Sequence, residues 1–554
     1  GVDVIAVSEA SKAEAARMVR RFTTSRVAVL ILSYETFRIH EKLFHRGQHQ
    51  CDLLICDEAH RLKNKDTKTA KALHALSTRR RILLSGTPIQ NDLDEFYSMV
   101  HFCNPELLGS EKSFHRHYQS PILRGREPDA TDRDRQEGAR KSGELGMIVN
   151  QFILRRTNSL LSKHLPPKLV CVVCCSLSDL QLQMYRAFLN SKLARQVANG
   201  GKQTMVLAAI TALKKLCNHP SLLFEGGTPK SGFESCVSLF PEGAIAPTGR
   251  GTGQPTSVLP QLSGKFHVLH KMLKELRATT DDRIVLVSNY TQTLDLFERM
   301  CAYERWPCCK LDGSCSIKKR TKMVDEINDP KANLFAFLLS SKAGGCGLNL
   351  VGANRLVLFD PDWNPANDKQ AAARVWRDGQ KKRVYIYRML CAGSIEEKVF
   401  ERQLSKEGLS GIATNELVES STMSTEELRD LFTLHEGCAS HLHQKIRQEA
   451  NSGEEGDDAA AAGAETPEDK PQDGWPKETG DMHLWGHHHG CEGVNDAVLR
   501  AAGRSASPEE GAVSFVFSLE VQGKAMDEEA SRPATAAATA AAAAAAPGGT
   551  TGGA

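Results

Sequence analysis

Short runs of Val, Ile and Leu that stop abruptly at polar residues recur along the chain, with helix-length amphipathic stretches between them. Runs that are apolar throughout are what a parallel sheet buried on both faces requires, and the amphipathic spacers supply crossover helices. A first set comprises Val27 to Leu32 before Ser33-Tyr34, Leu53 to Cys56 before Asp57-Glu58, and Ile82 to Leu84 before Ser85-Gly86-Thr87. A second comprises Ile284 to Val287 before Ser288-Asn289, Phe335 to Leu339 before Ser340-Ser341, and Leu356 to Phe359 before Asp360. In open α/β sheets ligands sit at the carboxyl ends of strands, where these polar residues fall. The pattern predicts an α/β protein with two lobes, each with an active edge.

Around those sets the chain divides further. Residues 1–104 read as a partial first lobe and 261–410 as a second. Between them, 105–225 reads as a helical insertion, with a short strand at Leu169 to Cys174, and Gly-, Pro- and Ser-rich 226–260 as a linker or loop. A helical extension over 411–452 precedes an acidic, Ala-rich linker at 453–472, expected to be disordered. Trp475, Trp485 and Val513 to Phe517 give 473–520 enough apolar content for a small module, and 521–554 is a low-complexity tail.

Composition narrows the class without deciding it. With 554 residues and 41% hydrophobic content, several cores are available. The 70 basic and 67 acidic residues nearly cancel, so any nucleic-acid footprint must be local. No apolar run reaches the roughly 18 residues of a membrane span and no secretory signal opens the chain, so an intracellular protein is expected, with no membrane partner. Sixteen scattered cysteines fit a reducing compartment, mostly as small buried hydrophobes.

The strongest chemical signal is Asp57-Glu58-Ala59-His60 directly after an apolar run. Magnesium needs hard oxygen ligands, and one strand-end carboxylate can hold it beside nucleotide phosphates while a second activates the attacking water. A carboxylate pair capping a helix is the bland alternative. In the second set, Ser341 to Leu350 contains Gly345 and Gly347, whose bare backbones can approach a phosphate or sugar closely. Downstream lies Gln370 to Gln380, in which Arg374 and Arg377, three apart, would share one helix face and point together at a γ-phosphate.

These blocks, with Ser85 to Asn91, resemble motifs two, three, five and six of superfamily-two helicase motors. Leu53 to Asn64 (LLICDEAHRLKN), Phe359 to Asp368 (FDPDWNPAND) and Arg374 to Lys382 (RVWRDGQKK) resemble the Swi/Snf-like branch. Within it, Val285 to Glu298, Leu213 to Pro220 (LKKLCNHP) and Leu338 to Gly352 are similar to the homologous-recombination translocases. The resemblance implies two RecA-like lobes that bind ATP and Mg2+ and step along double-stranded DNA in DNA repair, with chromatin remodelling as a further output. It makes Asp57 a magnesium-site residue, Glu58 the water-activating base and Arg374 and Arg377 arginine fingers, with His60, Gln370, Gly345 and Gly347 at the nucleotide. Ser33, Tyr34, Thr36, Asn289, Tyr290, Asp312, Gly313, Ser340 and Ser341 match segments that track DNA phosphates. A nucleus location and a recombinase filament as partner are implied in the same way. The rival readings are a nucleosome remodeller of another Swi/Snf subfamily and a non-catalytic DNA-binding scaffold.

Two departures stand out. No G-x-x-x-x-G-K-[ST] occurs; Gly264-Lys265 and Gly201-Lys202 lack the spacing and the hydroxyl. Because Gly1 to Glu9 resembles sequence downstream of that loop, N-terminal truncation is expected, and with it an inactive fragment. The zinc module that the resemblance implies would need Cys-x-x-Cys ligands, absent after residue 410. Cys438, Cys491, His441, His443, His483 and His487 to His489 read instead as a surface histidine cluster, and Cys171, Cys174 and Cys175 as core thiols.

Overall fold

The computed structural model describes residues 2–8, 10–25, 27–45, 51–62, 64, 66–85, 93–125, 130–154, 164–198, 203–225, 228–241, 258–344, 347–411, 425–453, 482–504 and 513–523. Gly1–Arg155 with Ile412–Ser421 form one unit, and Arg156–Gly411 with Thr422–Ala554 a second. The expected turn Gly86 to Asn91, the acidic linker from 454, Trp475 and the tail from 524 lie outside the described residues.

In the first unit, β1 (Val4–Val7) pairs in parallel with β2 (Val29–Leu32), and β3 (Leu53–Cys56) in parallel with β4 (Arg80–Leu83). Helix Lys12–Thr24 makes the first crossover, starting at Ser11, whose hydroxyl accepts the Glu14 amide at 3.2 Å. Thr67 caps the second, Lys68–His74, in the same way. The expected strands are present, but not buried on both faces. Ile31, Ile55 and Leu84 are 57%, 56% and 48% exposed, while Cys56, Leu73 and Phe102 close the opposite face. Helix Leu93–Cys103 packs through Phe96, Tyr97 and Val100 on Phe114 and Ile122.

The second unit is built on one sheet. Six of its strands are mutually parallel: β5 (Lys168–Cys175), β8 (Ile284–Ser288), β9 (Cys308–Leu311), β10 (Ala336–Ser340), β11 (Arg355–Leu358) and β12 (Val384–Cys391). A two-residue pair, β6 (Phe224–Glu225) with β7 (Thr228–Pro229), stands apart from it. Antiparallel β14 (Val513–Val521) continues the sheet beside β5, and β13 (Gly486–His489) closes that edge, giving the order β13-β14-β5-β12-β11-β8-β10-β9. All eight residues of β5 are buried, as are those of β8, β10 and β11, which matches the apolar runs. Helix Gly264–Thr279 covers one face through Phe266, Leu269, Met272 and Leu273.

Three stretches sit differently from their expected surroundings. Leu169 to Cys174 is a central strand of the second unit's sheet, because its alternate residues feed the two opposite cores; Cys171, Cys174 and Cys175 are buried thiols within it. Val513 to Phe517 joins the same sheet, with Phe515 and Phe517 on one face and Val516 on the other. Phe233, within the stretch read as a linker, is fully buried and stacks on Phe188 at 5.0 Å. Among the described residues no helix is long and apolar enough to cross a membrane.

Candidate functional site

In the first unit the polar groups gather at the carboxyl end of β3. Leu84 donates its amide to the Cys56 carbonyl and Ala59 donates to Leu84, each at 2.9 Å, so the chain stays tied to β4 as it leaves the strand. Asp57 Oδ1 accepts the Glu58 amide at 2.9 Å. Glu58 has φ +49°, one of two non-glycine residues in the left-handed region among those described. An L-residue pays roughly 1–3 kcal/mol for that conformation, and such strain concentrates at functional sites. His60 Nδ1 lies 3.4 Å from Glu58 Oε2.

The segment Ser33 to Thr36 is brought to this same strand end. The Ser33 hydroxyl accepts the Thr36 amide at 3.1 Å, starting helix Tyr34–His45, and meets the Thr36 hydroxyl at 2.9 Å. Tyr34 donates its phenol to the Asp57 carbonyl at 2.8 Å. Burial raises the Tyr34 pKa, with Cys56 adding to the effect, so the phenol stays protonated and keeps donating. Arg61 lies over the Tyr34 ring at 5.0 Å and pairs with Glu35.

In the second unit three neighbouring parallel strands end together. Ser288 at the end of β8 is in register with Ser340 at the end of β10, and Leu339 with Leu311 of β9. Asn289-Tyr290, Ser341 and Asp312-Gly313 therefore form one edge. Asn289 donates its amide to Asp360 Oδ2 at 3.0 Å and its carboxamide to the Asp360 carbonyl at 3.2 Å. Tyr290 donates its amide to the Ser288 hydroxyl at 3.1 Å, and burial pushes its phenol pKa up. Asp312 Oδ1 accepts from the Ser314 amide and hydroxyl at 2.9 and 2.6 Å, and a Cβ added at Gly313 would meet only open space.

The arginine pair is held otherwise than expected. Helix Pro365–Ala372, which carries half-buried Gln370, stops before Arg374. From Arg374 to Gly379 the chain runs through turns, so no helix face is shared. The cause lies in the apolar residues between them: Val375 and Trp376 are buried, the Trp376 indole donates to the Pro166 carbonyl at 2.9 Å, and Gly379 turns out at φ +95°. Arg374 is 8% exposed, and its carbonyl accepts the Leu350 amide at 3.0 Å. Arg377 is half-buried and donates to the Leu348 carbonyl at 2.9 Å. Both arginines are thus bound to the segment that follows Gly347, itself at φ +47°. Gly345 lies outside the described residues.

The histidine cluster is only partly a surface feature. His443 Nδ1 meets His487 Nδ1 at 3.2 Å, and the His443 ring packs 4.3 Å from Phe515. Burial, with His487 and His489 beside it, pushes the His443 pKa down to about 4.

Residues 2–222 match the SNF2-related domain and 264–379 the Helicase conserved C-terminal domain. The chain is 50% identical over 571 residues to Protein CHROMATIN REMODELING 25 of Arabidopsis thaliana, covering 96% of this chain and 62% of that protein. It is 50% identical over 578 residues to DNA repair and recombination protein RAD54 of Oryza sativa subsp. japonica, covering 96% and 58%. Against DNA repair and recombination protein RAD54-like of Mus musculus, identity is 45% over 531 residues, covering 93% and 67%. The chain belongs to the RAD54-like family. It spans about three fifths of the length of the two plant relatives.

Sequence reasoning missed the groups behind the second edge. Lys265, Asn218 and Glu396 are 0% exposed and polar, and in sequence Gly264-Lys265 registers only as a pair that fails to match a phosphate loop. A lysine two positions after a helix-capping serine gives no sequence signal of burial.

Proposed function

We propose that this chain is the motor portion of a double-stranded-DNA-dependent ATPase and translocase that serves homologous recombination and DNA double-strand break repair in the nucleus. The observation that carries the reading is Asp57-Glu58 at the end of β3, with Glu58 held at φ +49°. Asp57 would supply the hard oxygen for magnesium, and Glu58 would orient and deprotonate water, with His60 Nδ1 3.4 Å from its Oε2. ATP with Mg2+, when bound, supplies the γ-phosphoryl group that water accepts. Asp57 and Glu58 fit the metal and water half of that site; the 554 residues contain no phosphate-cradling loop, so turnover is assigned to the full-length protein. Arg374 and Arg377 are the proposed arginine fingers for charge developing on the phosphate, and Gln370, Gly345 and Gly347 are the proposed nucleotide-binding residues of the second unit.

Ser33, Tyr34 and Thr36 in the first unit, and Asn289, Tyr290, Asp312, Gly313, Ser340 and Ser341 in the second, belong to segments that contact DNA phosphates; the Tyr34 phenol and the Asn289 and Tyr290 amides are engaged within the protein and shape those segments. Phosphate contacts carry no sequence information, as a translocase requires. A recombinase filament is the proposed protein partner. Chromatin remodelling is a second output, favoured by the name of the Arabidopsis relative.

The test is DNA-stimulated turnover and salt-dependent DNA binding by full-length Arg377→Ala and Arg377→Lys. Each is expected to lose roughly 10³-fold or more in turnover, the lysine because it lacks the planar fork, while DNA affinity stays. Near-normal turnover in either variant, or equal stimulation of the unmutated protein by single strands and duplex, sinks the reading.

A further inference from the structure

Behind Asn289 and Tyr290 lies a closed chain of buried polar groups. Its root is Lys265, at 0% exposure in the first turn of helix Gly264–Thr279. Its ammonium donates to Glu396 Oε1 at 2.6 Å, the Phe359 carbonyl at 2.7 Å and Asn218 Oδ1 at 2.9 Å, which uses all three of its protons. Burial is the largest influence and works against the charge, but Glu396 together with Cys391, Cys217 and Asp360 outweighs it and holds the ammonium above its ordinary pKa. Asn218 then passes the link outward, donating to Asp360 Oδ1 at 3.2 Å and the Thr293 hydroxyl at 3.1 Å. Asp360 Oδ1 also takes the Ser288 hydroxyl at 2.5 Å, and its Oδ2 and carbonyl take both donors of Asn289.

Three ionisable groups from separated stretches of sequence are therefore desolvated at the ends of β8, β11 and β12. Burying an ion pair is a poor way to gain stability, since well-packed apolar residues often do as well or better. What hydrogen-bonded charges provide that methyl groups do not is direction. Each bond here fixes the next, and the last two fix the Asn289 backbone and side chain.

We infer that Lys265 is a positioning residue that acts through Asn218 and Asp360 to set the Asn289-Tyr290 turn for the DNA phosphates. The inference rests on the proposed role of that turn in DNA contact. Lys265 itself touches neither DNA nor nucleotide.

The test measures half-saturating DNA and half-saturating ATP for turnover by the full-length protein, with thermal unfolding alongside. The unmutated protein and Asn289→Ala establish the proposed function first: DNA must stimulate, and Asn289→Ala must raise half-saturating DNA. Lys265→Met, which keeps the volume, is then expected to raise half-saturating DNA roughly tenfold, the scale of a lost hydrogen bond to a charged group, and leave that for ATP in place. Adding Asn289→Ala to Lys265→Met should cost little more, because both break one chain. Asp360→Asn, which sets an NH2 group against either the Asn289 amide or the Asn218 carboxamide and so breaks the chain in both orientations, should reproduce the effect if Lys265→Met fails to fold.

Parallel rises for DNA and ATP indicate a loosened lobe, since Arg374 and Arg377 share it, and overturn the inference. Full additivity with Asn289→Ala does so too, as does failure of both Lys265→Met and Asp360→Asn to fold. An unmutated protein that DNA does not stimulate removes the proposed function and the inference with it.

Discussion

Asp496→Ala tests whether the C-terminal segment is part of the second unit's core or an appendage to it. The carboxylate is 3% exposed and meets three needs at once. It accepts from Arg355 at 3.1 Å and from the Tyr387 hydroxyl at 2.6 Å, and it caps helix Ala497–Gly503 by taking the Val498 and Leu499 amides at 3.3 and 3.2 Å. Arg355, itself 4% exposed, keeps Asp282 at 2.8 Å after the change, so its charge is left half-compensated and the cost falls at the low end of a broken buried pair, about 3 kcal/mol. The lost cap adds about 1 kcal/mol, for a total of about 4 kcal/mol. No tryptophan occurs in Gly1–Arg155 or Ile412–Ser421, so fluorescence during urea unfolding does not read the first unit. With a slope of about 2–3 kcal/mol per molar, the midpoint should fall by roughly 1–2 M. A loss under about 1 kcal/mol, as for a surface acid, refutes the reasoning; so does a separate early transition confined to Trp485.

Two further outcomes follow from the same unit. Burial pushes the His219 pKa down to about 4, with Nε2 donating to the Leu259 carbonyl and Nδ1 accepting the Ser221 amide. A depressed histidine stabilises fully above its unfolded value near 6.5, and that stability is lost as pH falls towards 4. His219→Gln should therefore lose about 2–3 kcal/mol less than the unmutated chain between pH 7 and 4.5, measured by urea midpoints; equal losses would count against a buried neutral ring. A Cβ at Gly352 would lie 2.0 Å from the Ile327 carbonyl oxygen, a backbone atom that cannot rotate aside. Gly352→Ala should destabilise by about 1–3 kcal/mol in the same assay, and a neutral result would show that the two segments are not in contact.

The two polar edges were legible because their residues are contiguous. Asp57-Glu58 and Ser340-Ser341 each follow an unbroken apolar run, and one window of sequence shows both the strand and what it carries. Arg374 and Arg377 stand out by type and spacing, yet the expected shared helix face is not there, because Val375 and Trp376 between them turn into the core and Gly379 completes the turn. Trp376 is satisfied by Pro166, 210 positions away. No local periodicity encodes such a partner, so propensity was overridden by burial. The exposed faces of Ile31, Ile55 and Leu84 were equally hidden, since an apolar run is the same whether one face is covered or two.

The sheet of the second unit shows why domain limits were harder to read than motifs. Its strands come from 168–175, 284–391 and 486–521, and β5 takes β12 on one side and β14 on the other. A strand such as β5 is apolar at every position because both neighbours and both faces are supplied from far along the chain. Read locally, it looks like a stray strand among helices, and β14 looks like the seed of a separate module. Their pairing is long-range, so closing the loops between them costs entropy that only the complete sheet repays. Arg355, Tyr387 and Asp496 place a buried polar lock on this closure, from β11, β12 and the helix that precedes β14. The lobe that carries the proposed arginine fingers is therefore complete only when residues up to about Val521 have joined it, which makes the C-terminal strand part of that lobe's frame.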